Sequence, residues 1–384
     1  ANAPHIIWPL TFVLPHSSAL RPAWLIRLGL WLYDHLGGRR RLPGSGGINL
    51  NKHAFGEPLQ QNYKQGFHYA DCWVEDSRLV VLNAMAARNN GAQIMTYTAC
   101  TGLTAENGEW QIDTDRGDSI TAKMVINAAG PWVRALPDET GLGRAAHDFP
   151  TIRRVKGSHI VVPRLYQGEQ AYILQQKDGR IVFAIAYERD YTLIGTTDID
   201  YQGDPGEAAL DDDETDYLLN AANTYFTRQL EAGDIIHSYS GVRPLMDEVG
   251  GDASRASRDY TLYEAEIAHA PIINVYGGKL TTYRVLAQEC AGKVENRLAI
   301  DKYGPWTDNT PLPGGDIEDA DFDSFYARLH ADYAFLDAAT CHRLARSYGT
   351  LARTHILRDA RKEGDLGQHF GCGIYAREID YFVT

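Results

Sequence analysis

The feature that most constrains the fold is a run of short β-type segments between residues 153 and 200. The segments "SHIVVP", "AYILQ", "RIVFAIAY" and "YTLIGTTD" are rich in branched and aromatic residues, and Gly, Asp and Pro residues separate them. Short strands joined by turn residues at such close intervals pair with their neighbours in the sequence. We therefore predict an antiparallel sheet in this region.

Alternating elements precede this sheet, from residue 71 onward. "SRLVVLNAMAARNNGAQIM" predicts a helix that stops at Gly91, and "QIMTYTA" predicts a strand directly after it. "EWQIDTD" and "ITAKMVINAAGPW" predict two more strands that complete a meander. The last of these ends in Ala-Ala-Gly, as expected of a buried strand that meets a ligand.

Further elements follow the sheet. "DDDETDYLLNAANTYF" predicts a helix with an acidic N-terminus, and "DIIHSYSGVRPL" predicts a strand. "APIINVYGG" predicts another strand, which leads into a helix that begins near Thr281. Beyond "LPGG", residues 312–315, the composition becomes helical and charged, which predicts a domain boundary there.

Segment 20–42, "LRPAWLIRLGLWLYDHLGGRRRL", predicts an amphipathic helix with basic flanks, because its apolar residues recur at helical spacing between arginines. Two interpretations stay open at this point. The helix packs on the protein core, or it lies on an anionic membrane surface with its indoles at the headgroup level and its arginines on lipid phosphates.

Composition excludes several classes of protein. The chain of 384 residues is 44% hydrophobic and carries a formal net charge of −13, so it forms a sizeable core and lacks the basic character of a general nucleic-acid binder. Its 5 cysteines are scattered without a CxxC, which favours structural thiols in a reducing compartment. We find no run of 18 apolar residues, no secretory signal and no metal-ligand spacing of His, Cys or carboxylates.

The segment "VYGGKLTTYR", residues 275–284, predicts a strand, a glycine pair and a helix. Glycine after a strand most often marks only a tight turn. Thr281 and Thr282 are placed to cap the helix, whose N-terminus then favours an electron-rich group such as a phosphate or a flavin carbonyl. We interpret Gly277 and Gly278 as bare so that a flat cofactor can approach, with Lys279 beside an anionic partner.

A second candidate for a cofactor contact is "VINAAGPW", residues 125–132, where small residues such as Ala129 and Gly130 end a strand. The motif alone is a weak signal. No G-x-G-x-x-G loop, which would hold a dinucleotide pyrophosphate, follows a first strand in this chain.

Three cations on or beside predicted β elements are candidates for a dianionic phosphate, namely Arg243 in "SGVRP", Arg258 in "SRDYTL" and Lys279. Any one of them alone is more often an ion-pair partner. Other polar candidates lie in "KGSHIVV" and "GTTD". His159 in the first of these is equally a core histidine or a proton acceptor.

Together these motifs closely resemble the bacterial FAD-dependent glycerol-3-phosphate dehydrogenases, which are flavoproteins of the D-amino-acid-oxidase type. The resemblance runs in order along nearly the whole chain, through "APHI", "LRPAW", "YDHL", "LPGS", "DCWVEDSRL", "NAAGPWV", "KGSHIVVPR", "AYILQ", "GTTDIDYQGDP", "YSGVRPL", "RDYTL" and "GGKLTTYR". It implies a mixed α+β and α/β FAD-dependent oxidoreductase fold. An incomplete, Rossmann-like FAD domain (71–150 and 266–300) would join an antiparallel substrate domain (1–70 and 151–265) and a helical domain (316–384).

The resemblance also implies a reaction, in which sn-glycerol 3-phosphate is oxidised to dihydroxyacetone phosphate with FAD as cofactor and a membrane quinone, ubiquinone or menaquinone, as electron acceptor. Arg243 and Lys279 match positions near substrate and flavin, while Arg258 and Thr196 match positions that hold the substrate phosphate. We expect Arg243 to stabilise the alkoxide or transfer a proton, and we keep His159 as the reserve base.

We expect the FAD contacts within the two glycine-bearing motifs, at Ala129, Gly130, Gly277, Gly278, Leu280 and Thr281. The family begins with a βαβ unit that carries the G-x-G-x-x-G loop and continues beyond the last residue of this chain. We therefore expect a fragment whose affinity for FAD is reduced.

The expected location is the cytoplasmic face of the inner membrane, reached through segment 20–42, and the family implies a homodimer. Two alternatives remain, which are a related flavoprotein that oxidises an amino or hydroxy acid and a non-catalytic remnant that keeps only a membrane or oligomer surface. Three cations favour a phosphate over a single carboxylate.

Overall fold

The structure is a computed structural model that describes residues 2–17, 22–35, 42–142, 147–246, 259–301 and 304–383. Its strands are β1 Ile7–His16, β2 Gly46–Asn49, β3 Gln65–Val74, β4 Cys100–Glu106, β5 Glu109–Thr114, β6 Ser119–Ala122, β7 Val125–Asn127, β8 Ile152–Pro163, β9 Ala171–Gln175, β10 Ile181–Tyr187, β11 Tyr191–Gly195, β12 Ile199–Asp200, β13 His237–Met246, β14 Thr261–Ile267, β15 Ala270–Tyr276, β16 His369–Gly371 and β17 Ile374–Tyr375. Its α-helices are α1 Ala23–His35, α2 Asp76–Asn89, α3 Ala135–Glu139, α4 Asp212–Tyr225, α5 Tyr283–Leu298, α6 Phe322–Asp332, α7 Ala338–Tyr348 and α8 Ala376–Val383.

The chain divides into two compact units. A sheet unit comprises Leu10–Asp71 and Thr98–Lys302, and a helical unit comprises Ala1–Pro9, Cys72–Tyr97 and Tyr303–Thr384. The three-domain division predicted from the sequence stays a prediction. Among the described residues, no helix combines the length and the apolar character that a membrane crossing requires.

The main sheet of the sheet unit has the strand order β12-β8-β11-β10-β9-β1-β3-β2, with β13 paired to β8. Strands β8 to β11 pair antiparallel with their neighbours, which confirms the prediction for residues 153–200. Helix α4 covers one face of this sheet. Its buried residues Leu218, Ala222 and Tyr225 share a core with Ile160 of β8 and Ile194 of β11.

Helix α4 begins with the acidic cap that its sequence predicts. The side chain of Asp211 accepts the backbone N–H of Glu214 at 2.9 Å, and the Glu214 side chain reaches back to the N–H of Asp211. This reciprocal arrangement is a capping box, which satisfies two backbone donors that the first turn would otherwise leave open.

A smaller three-stranded sheet of the sheet unit has the order β14-β15-β7. Strands β14 and β15 are antiparallel, whereas β15 and β7 run parallel. The meander β4-β5-β6 packs beside it through Trp110, whose indole N–H donates to the carbonyl of Pro271 at 2.7 Å. The predicted strand 120–132 is thus divided, because β6 closes the meander and β7 joins the parallel pair.

One predicted strand is wrong. Residues 93–99, "QIMTYTA", form no strand, and the next strand begins only at Cys100. The side chain of Tyr97 is 92% exposed and that of Ile94 is 43% exposed. β-type composition reflects the fit to a half-buried, paired surface, whereas residues 93–99 are mostly exposed in the part of the chain that the structure describes.

In the helical unit, buried polar groups join the N-terminal residues to the C-terminal helices. His5 is 0% exposed, and the Arg346 guanidinium donates to its carbonyl at 3.4 Å. Glu378 of α8 is 2% exposed and accepts hydrogen bonds from Arg343 at 2.6 and 2.8 Å and from the Tyr348 hydroxyl at 2.7 Å.

Candidate functional site

The parallel strands β7 and β15 bring the two glycine-bearing motifs to one edge of a sheet. Asn127, the last residue of β7, pairs with Asn274 of β15, so both strands end at about the same level. The loop with Ala129 and Gly130 follows β7, and the segment that begins at Gly277 follows β15. In sheets with parallel strands, ligands bind beyond the carboxyl ends of the strands.

Buried amides hold this edge in place. The Asn127 side-chain amide donates to the carbonyl of Val133 and to Oδ1 of Asn274, both at 2.8 Å, and its own Oδ1 accepts the Ala129 N–H at 3.3 Å. Within the described residues, the buried Nδ2 of Asn274 and the hydroxyl of Tyr276 have no hydrogen-bond partner. Buried polar atoms without a partner are rare in folded proteins, and these two mark a polar region beneath the ends of β7 and β15.

The glycines at this edge differ in what surrounds them. Gly130 has a φ of +55° and open space where a Cβ would stand. At Gly277, with a φ of +68°, a Cβ would lie 2.5 Å from the carbonyl oxygen of Asp259, and at Gly278, with a φ of +97°, it would lie 3.2 Å from Cδ1 of Leu286. The chain itself therefore already requires the glycine pair, whereas the space at Gly130 is available to a ligand.

The predicted threonine cap of the following helix is wrong. Helix α5 begins at Tyr283 after a single 3-10 turn, and Thr282 makes no side-chain capping bond to it. The Thr282 hydroxyl instead lies against the backbone of Lys279, where it donates to the carbonyl at 3.1 Å and accepts the N–H at 3.3 Å. The side chains of Lys279 and Leu280 are exposed beside this turn.

Strand β8 presents different residues on its two faces. Lys156 and Ser158 contact Glu214 at the start of α4, and Ile160 lies in the core beneath the same helix. The intervening Gly157 and His159 contact residues on the opposite face. Alternation along an extended strand produces this division. The face with Gly157 and His159 is called the open face below.

On the open face, Arg243 of β13 is held by the turn that follows β11. Its Nη1 donates to Oδ1 of Asp198 at 2.6 Å, and its Nη2 donates to the Thr196 hydroxyl at 3.2 Å. The guanidinium lies across the backbone of Gly157, where a Cβ would be only 2.8 Å from Nη2. Gly241, directly opposite Gly157 in the β8–β13 pair, is exposed, and no described residue comes within 4 Å of the place where its Cβ would stand.

Gly157 and Gly241 form a patch of backbone without side chains, which is called the bare floor below, and His159 lies beside it on the same face. Its ring stacks on Tyr239 at 4.9 Å, and a Cβ on Gly195 would lie 2.1 Å from its Cδ2. Burial, and then the positive charge of Arg243, lower the pKa of His159 to about 4. Its Nδ1 is buried and has no hydrogen-bond partner within the described residues. The imidazole is therefore neutral at pH 7, and it does not behave as a satisfied core histidine.

On the opposite face, the Glu214 carboxylate is fully buried. It accepts hydrogen bonds from the hydroxyls of Ser158 at 2.8 Å and Thr197 at 2.6 Å, and it pairs with Nζ of Lys156 at 2.9 Å. Burial alone would lower the pKa of Lys156, but its hydrogen bonds and charge pairs with Glu214 and Asp211 outweigh that effect and raise it. Lys156 is thus a charged structural partner and not a proton acceptor.

The structure brings several predicted site residues together. Arg243, Thr196 and His159 share the open face, and the turn Gly130–Trp132 lies against β13, the strand that carries Arg243. Arg258 lies outside the described residues. The roles of these residues stay predictions.

Sequence reasoning missed Gly157 and Gly241, the bare floor of the open face, and Glu214 beneath it. The glycines stand alone within strand sequences, where an isolated Gly signals the close approach of another group. Glu214 carries no such signal, because an acidic residue in the first turn of a helix is explained by the cap alone.

This donor set fits a flavin at its reactive end. Among the described residues, no atom lies within 4 Å of the place where a Cβ of Gly130 would stand, and the partly exposed Arg243 of β13 supplies a cation held by Asp198. Together with the fold, they define a flavin-dependent oxidoreductase. The family model described as FAD dependent oxidoreductase (DAO) matches residues 1–284, and the chain belongs to this family. The resemblance and the FAD cofactor predicted from the sequence are confirmed.

Named relatives lie within this family. The glycerol-3-phosphate dehydrogenase of Pseudomonas aeruginosa is 46% identical over 387 residues, which cover 99% of this chain and 74% of that protein. The D-erythritol 1-phosphate dehydrogenase of Brucella abortus is 43% identical over 387 residues, covering 100% of this chain and 76% of that protein. The solved glycerol-3-phosphate dehydrogenase from Bacillus halodurans, complexed with FAD, has a TM-score of 0.70 at 27% identity, and the match covers 93% of this chain and 65% of that one.

Proposed function

We propose that this chain catalyses the FAD-dependent oxidation of sn-glycerol 3-phosphate to dihydroxyacetone phosphate. The observation that carries the proposal is the open face, where Asp198 and Thr196 hold the Arg243 guanidinium at 2.6 and 3.2 Å above bare glycine backbone. A fixed guanidinium beside the exposed Gly241 suits an anionic substrate or a developing alkoxide. The name of the Pseudomonas aeruginosa relative supports the same substrate.

Oxidation removes a hydride from C2 of the substrate and a proton from its hydroxyl group. Bound FAD would supply the hydride acceptor. Arg243 is placed to stabilise negative charge on the C2 oxygen as the proton leaves. With a pKa of about 4, His159 is neutral at working pH, so one ring nitrogen can accept that proton. Because so low a pKa makes His159 a weak base, charge stabilisation by Arg243 has to supply much of the driving force.

A matched pair of variants of the holoenzyme tests this assignment. We expect Arg243→Ala to lower kcat/KM for glycerol 3-phosphate by a factor of about 100 or more, as for other groups that stabilise charge in a transition state. The flavin absorbance should persist. Arg353→Ala, which breaks an arginine–aspartate pair with Asp332 in the helical unit, is the control and should retain activity. Unchanged turnover in Arg243→Ala would refute the role.

Erythritol 1-phosphate is a second candidate substrate, because the Brucella abortus relative named for it is 43% identical to this chain. Both compounds present a phosphate and a secondary alcohol, so Arg243 alone does not separate them. A panel of glycerol 3-phosphate, D-erythritol 1-phosphate, a D-amino acid and a 2-hydroxy acid, compared by kcat/KM, decides the substrate class. A preference for either acid would exclude the proposed phosphate site.

We further propose that helix α1 rests on an anionic membrane at the cytoplasmic face, where a quinone accepts the electrons. Ile26 and Leu30 of this helix pack on the core, whereas Trp24, Leu28 and Trp31 on its other side are 69%, 46% and 50% exposed. The two interpretations of the sequence are therefore compatible, since one side packs inward. An exposed stripe with two indoles suits the headgroup level of a bilayer.

Liposome flotation tests this surface. We expect Trp24→Ser combined with Trp31→Ser to abolish binding to anionic vesicles, and charge reversal of Arg39, Arg40 and Arg41 to weaken it. Trp306→Ser, which removes an indole that is 52% exposed in the helical unit, is the control. Binding that survives the double substitution would refute the membrane role of α1. The homodimer stays a prediction, which light scattering checks.

A further inference from the structure

The Glu214 carboxylate takes no part in the proposed chemistry, yet it has a complete set of donors. Its Oε1 accepts from the hydroxyls of Ser158 and Thr197 at 2.8 and 2.6 Å, while its Oε2 pairs with Lys156 at 2.9 Å and accepts the Asp211 N–H at 3.3 Å. A carboxylate oxygen offers about two acceptor sites, so these four groups fill both oxygens. Such a buried network orders every group that it contacts.

The hydroxyl protons in this network have fixed directions. Ser158 Oγ donates its one proton to Glu214, so the Ser240 hydroxyl, 2.7 Å away, must donate to Ser158. Thr197 Oγ1 donates to Glu214 and accepts the Ser158 N–H at 2.9 Å. Thr197 Oγ1 thus links the Glu214 carboxylate to the backbone of β8, and its bond to the carboxylate fixes the direction of its proton.

Thr197 stands between Thr196 and Asp198, the two residues that hold Arg243 on the open face. We propose that Glu214 is a positioning residue, which fixes the turn at residues 196–198 from beneath the sheet and thereby sets the position of the Arg243 guanidinium. The inference rests on the proposed function, because it matters for turnover only if Arg243 contacts the substrate.

Glu214→Gln in the holoenzyme is the direct test, since glutamine keeps the shape but replaces an acceptor with a donor. We expect kcat/KM for glycerol 3-phosphate to fall roughly tenfold or more, with FAD retained. Tyr225→Phe, which removes a 2.7 Å hydrogen bond from the same helix to Gln175, is the control and should have little effect on kcat/KM. A Glu214→Gln enzyme with unchanged kcat/KM would overturn the proposal.

A double-mutant cycle with Arg243→Lys separates positioning from a merely structural role. If Glu214 acts through Arg243, the double variant is scarcely less active than Arg243→Lys alone. If the losses in kcat/KM multiply, Glu214 acts independently of Arg243 and the proposal fails.

A readout that needs no turnover is the pKa of His159, measured by NMR titration with His159→Gln as the assignment control. Because the charge of Arg243 contributes to lowering this pKa to about 4, displacement of the guanidinium in Glu214→Gln should raise it measurably. An unmoved titration would overturn the proposal. If the unmodified holoenzyme oxidises no polyol phosphate, the proposed function fails, while the His159 titration still decides the positioning role.

Thr197→Val serves where Glu214→Gln does not fold, because it removes the hydroxyl link but leaves the Lys156–Glu214 pair intact. We expect the same fall in kcat/KM and the same upward shift of the His159 pKa. If kcat/KM and the His159 pKa of Thr197→Val equal those of the unmodified enzyme, the link between the two faces of the sheet is refuted.

Discussion

Gly157→Ala tests the geometry of the open face most directly. The added Cβ would lie 2.5 Å from Thr196 Oγ1 and 2.8 and 2.9 Å from the two terminal nitrogens of Arg243, whereas ordinary contacts begin at 3.4 Å. The guanidinium must therefore recede by about 0.6 Å, and the Thr196 hydroxyl by about 0.9 Å. We expect this displacement to disturb the 2.6 Å hydrogen bond from Arg243 to Asp198 and the position of the guanidinium.

The expected effect on activity is large, while the effect on stability is small. Misplacement of a positioning group by about 1 Å costs on the order of 100-fold in rate, so we expect kcat/KM to fall about 10- to 100-fold. Alanine also lowers the conformational entropy of the unfolded chain relative to glycine, which stabilises the folded state by about 0.4–1 kcal/mol. This gain offsets part of the free energy lost with the disturbed hydrogen bonds. The free energy of unfolding should therefore stay within about 1 kcal/mol of the unmodified value.

Steady-state kinetics on the FAD-loaded protein and urea unfolding measure the two quantities. Gly292→Ala in α5 is the control, because its Cβ would meet no atom within 4 Å and the substitution favours a helix. A folded Gly157→Ala enzyme with kcat/KM within twofold of the unmodified enzyme would show that the guanidinium need not lie across this backbone.

Three further predictions follow from other sites. Gly241→Ala fills the open space above the bare floor, so it should weaken substrate or flavin binding in titrations without loss of stability, and unchanged affinities would show that no ligand approaches there. Burial, and then the charges of Arg78 and Arg346, lower the pKa of His5 from 6.5 to about 4, so the unfolded chain binds a proton at a higher pH than the folded chain. The free energy of unfolding of the helical unit should therefore fall by about 3 kcal/mol as the pH falls from 6.5 to 4. His5→Gln should remove this pH dependence in urea titrations. Glu378→Ala removes the buried acceptor of Arg343 and of the Tyr348 hydroxyl, while Arg343 keeps its bond to the Gly373 carbonyl; we expect the free energy of unfolding of the helical unit to fall by about 1–3 kcal/mol in urea unfolding, and an unchanged value would refute a stabilising role of Glu378.

Local chemistry predicted much of the main sheet and its covering helix. The turn residues between strands β8 to β11 indicate where each strand ends, and α4 begins at the acidic N-terminus that the sequence predicts. The strand predicted at residues 93–99 failed, because apolar composition does not reveal whether a pairing surface exists.

The sequence indicates two residues of the open face but not the residues that support them. Arg243 and Thr196 were chosen from the sequence and do contact each other. Glycine is required at position 277 because the carbonyl of Asp259 lies against it. These two segments meet only in the folded chain, so no local sequence pattern indicates the requirement. Glu214 escaped notice for a related reason, since its partners Ser158 and Thr197 come from separate strands.

The alternation along β8 has a consequence for how this protein can be altered. Residues 156, 158 and 160 face helix α4, whereas residues 157 and 159 face the open side. In a library that randomises residues 156–160, tolerance measured by folding and tolerance measured by catalysis should therefore alternate with a period of two. An engineer who wishes to change ligand preference should begin at position 159 and leave residues 156, 158 and 160 untouched.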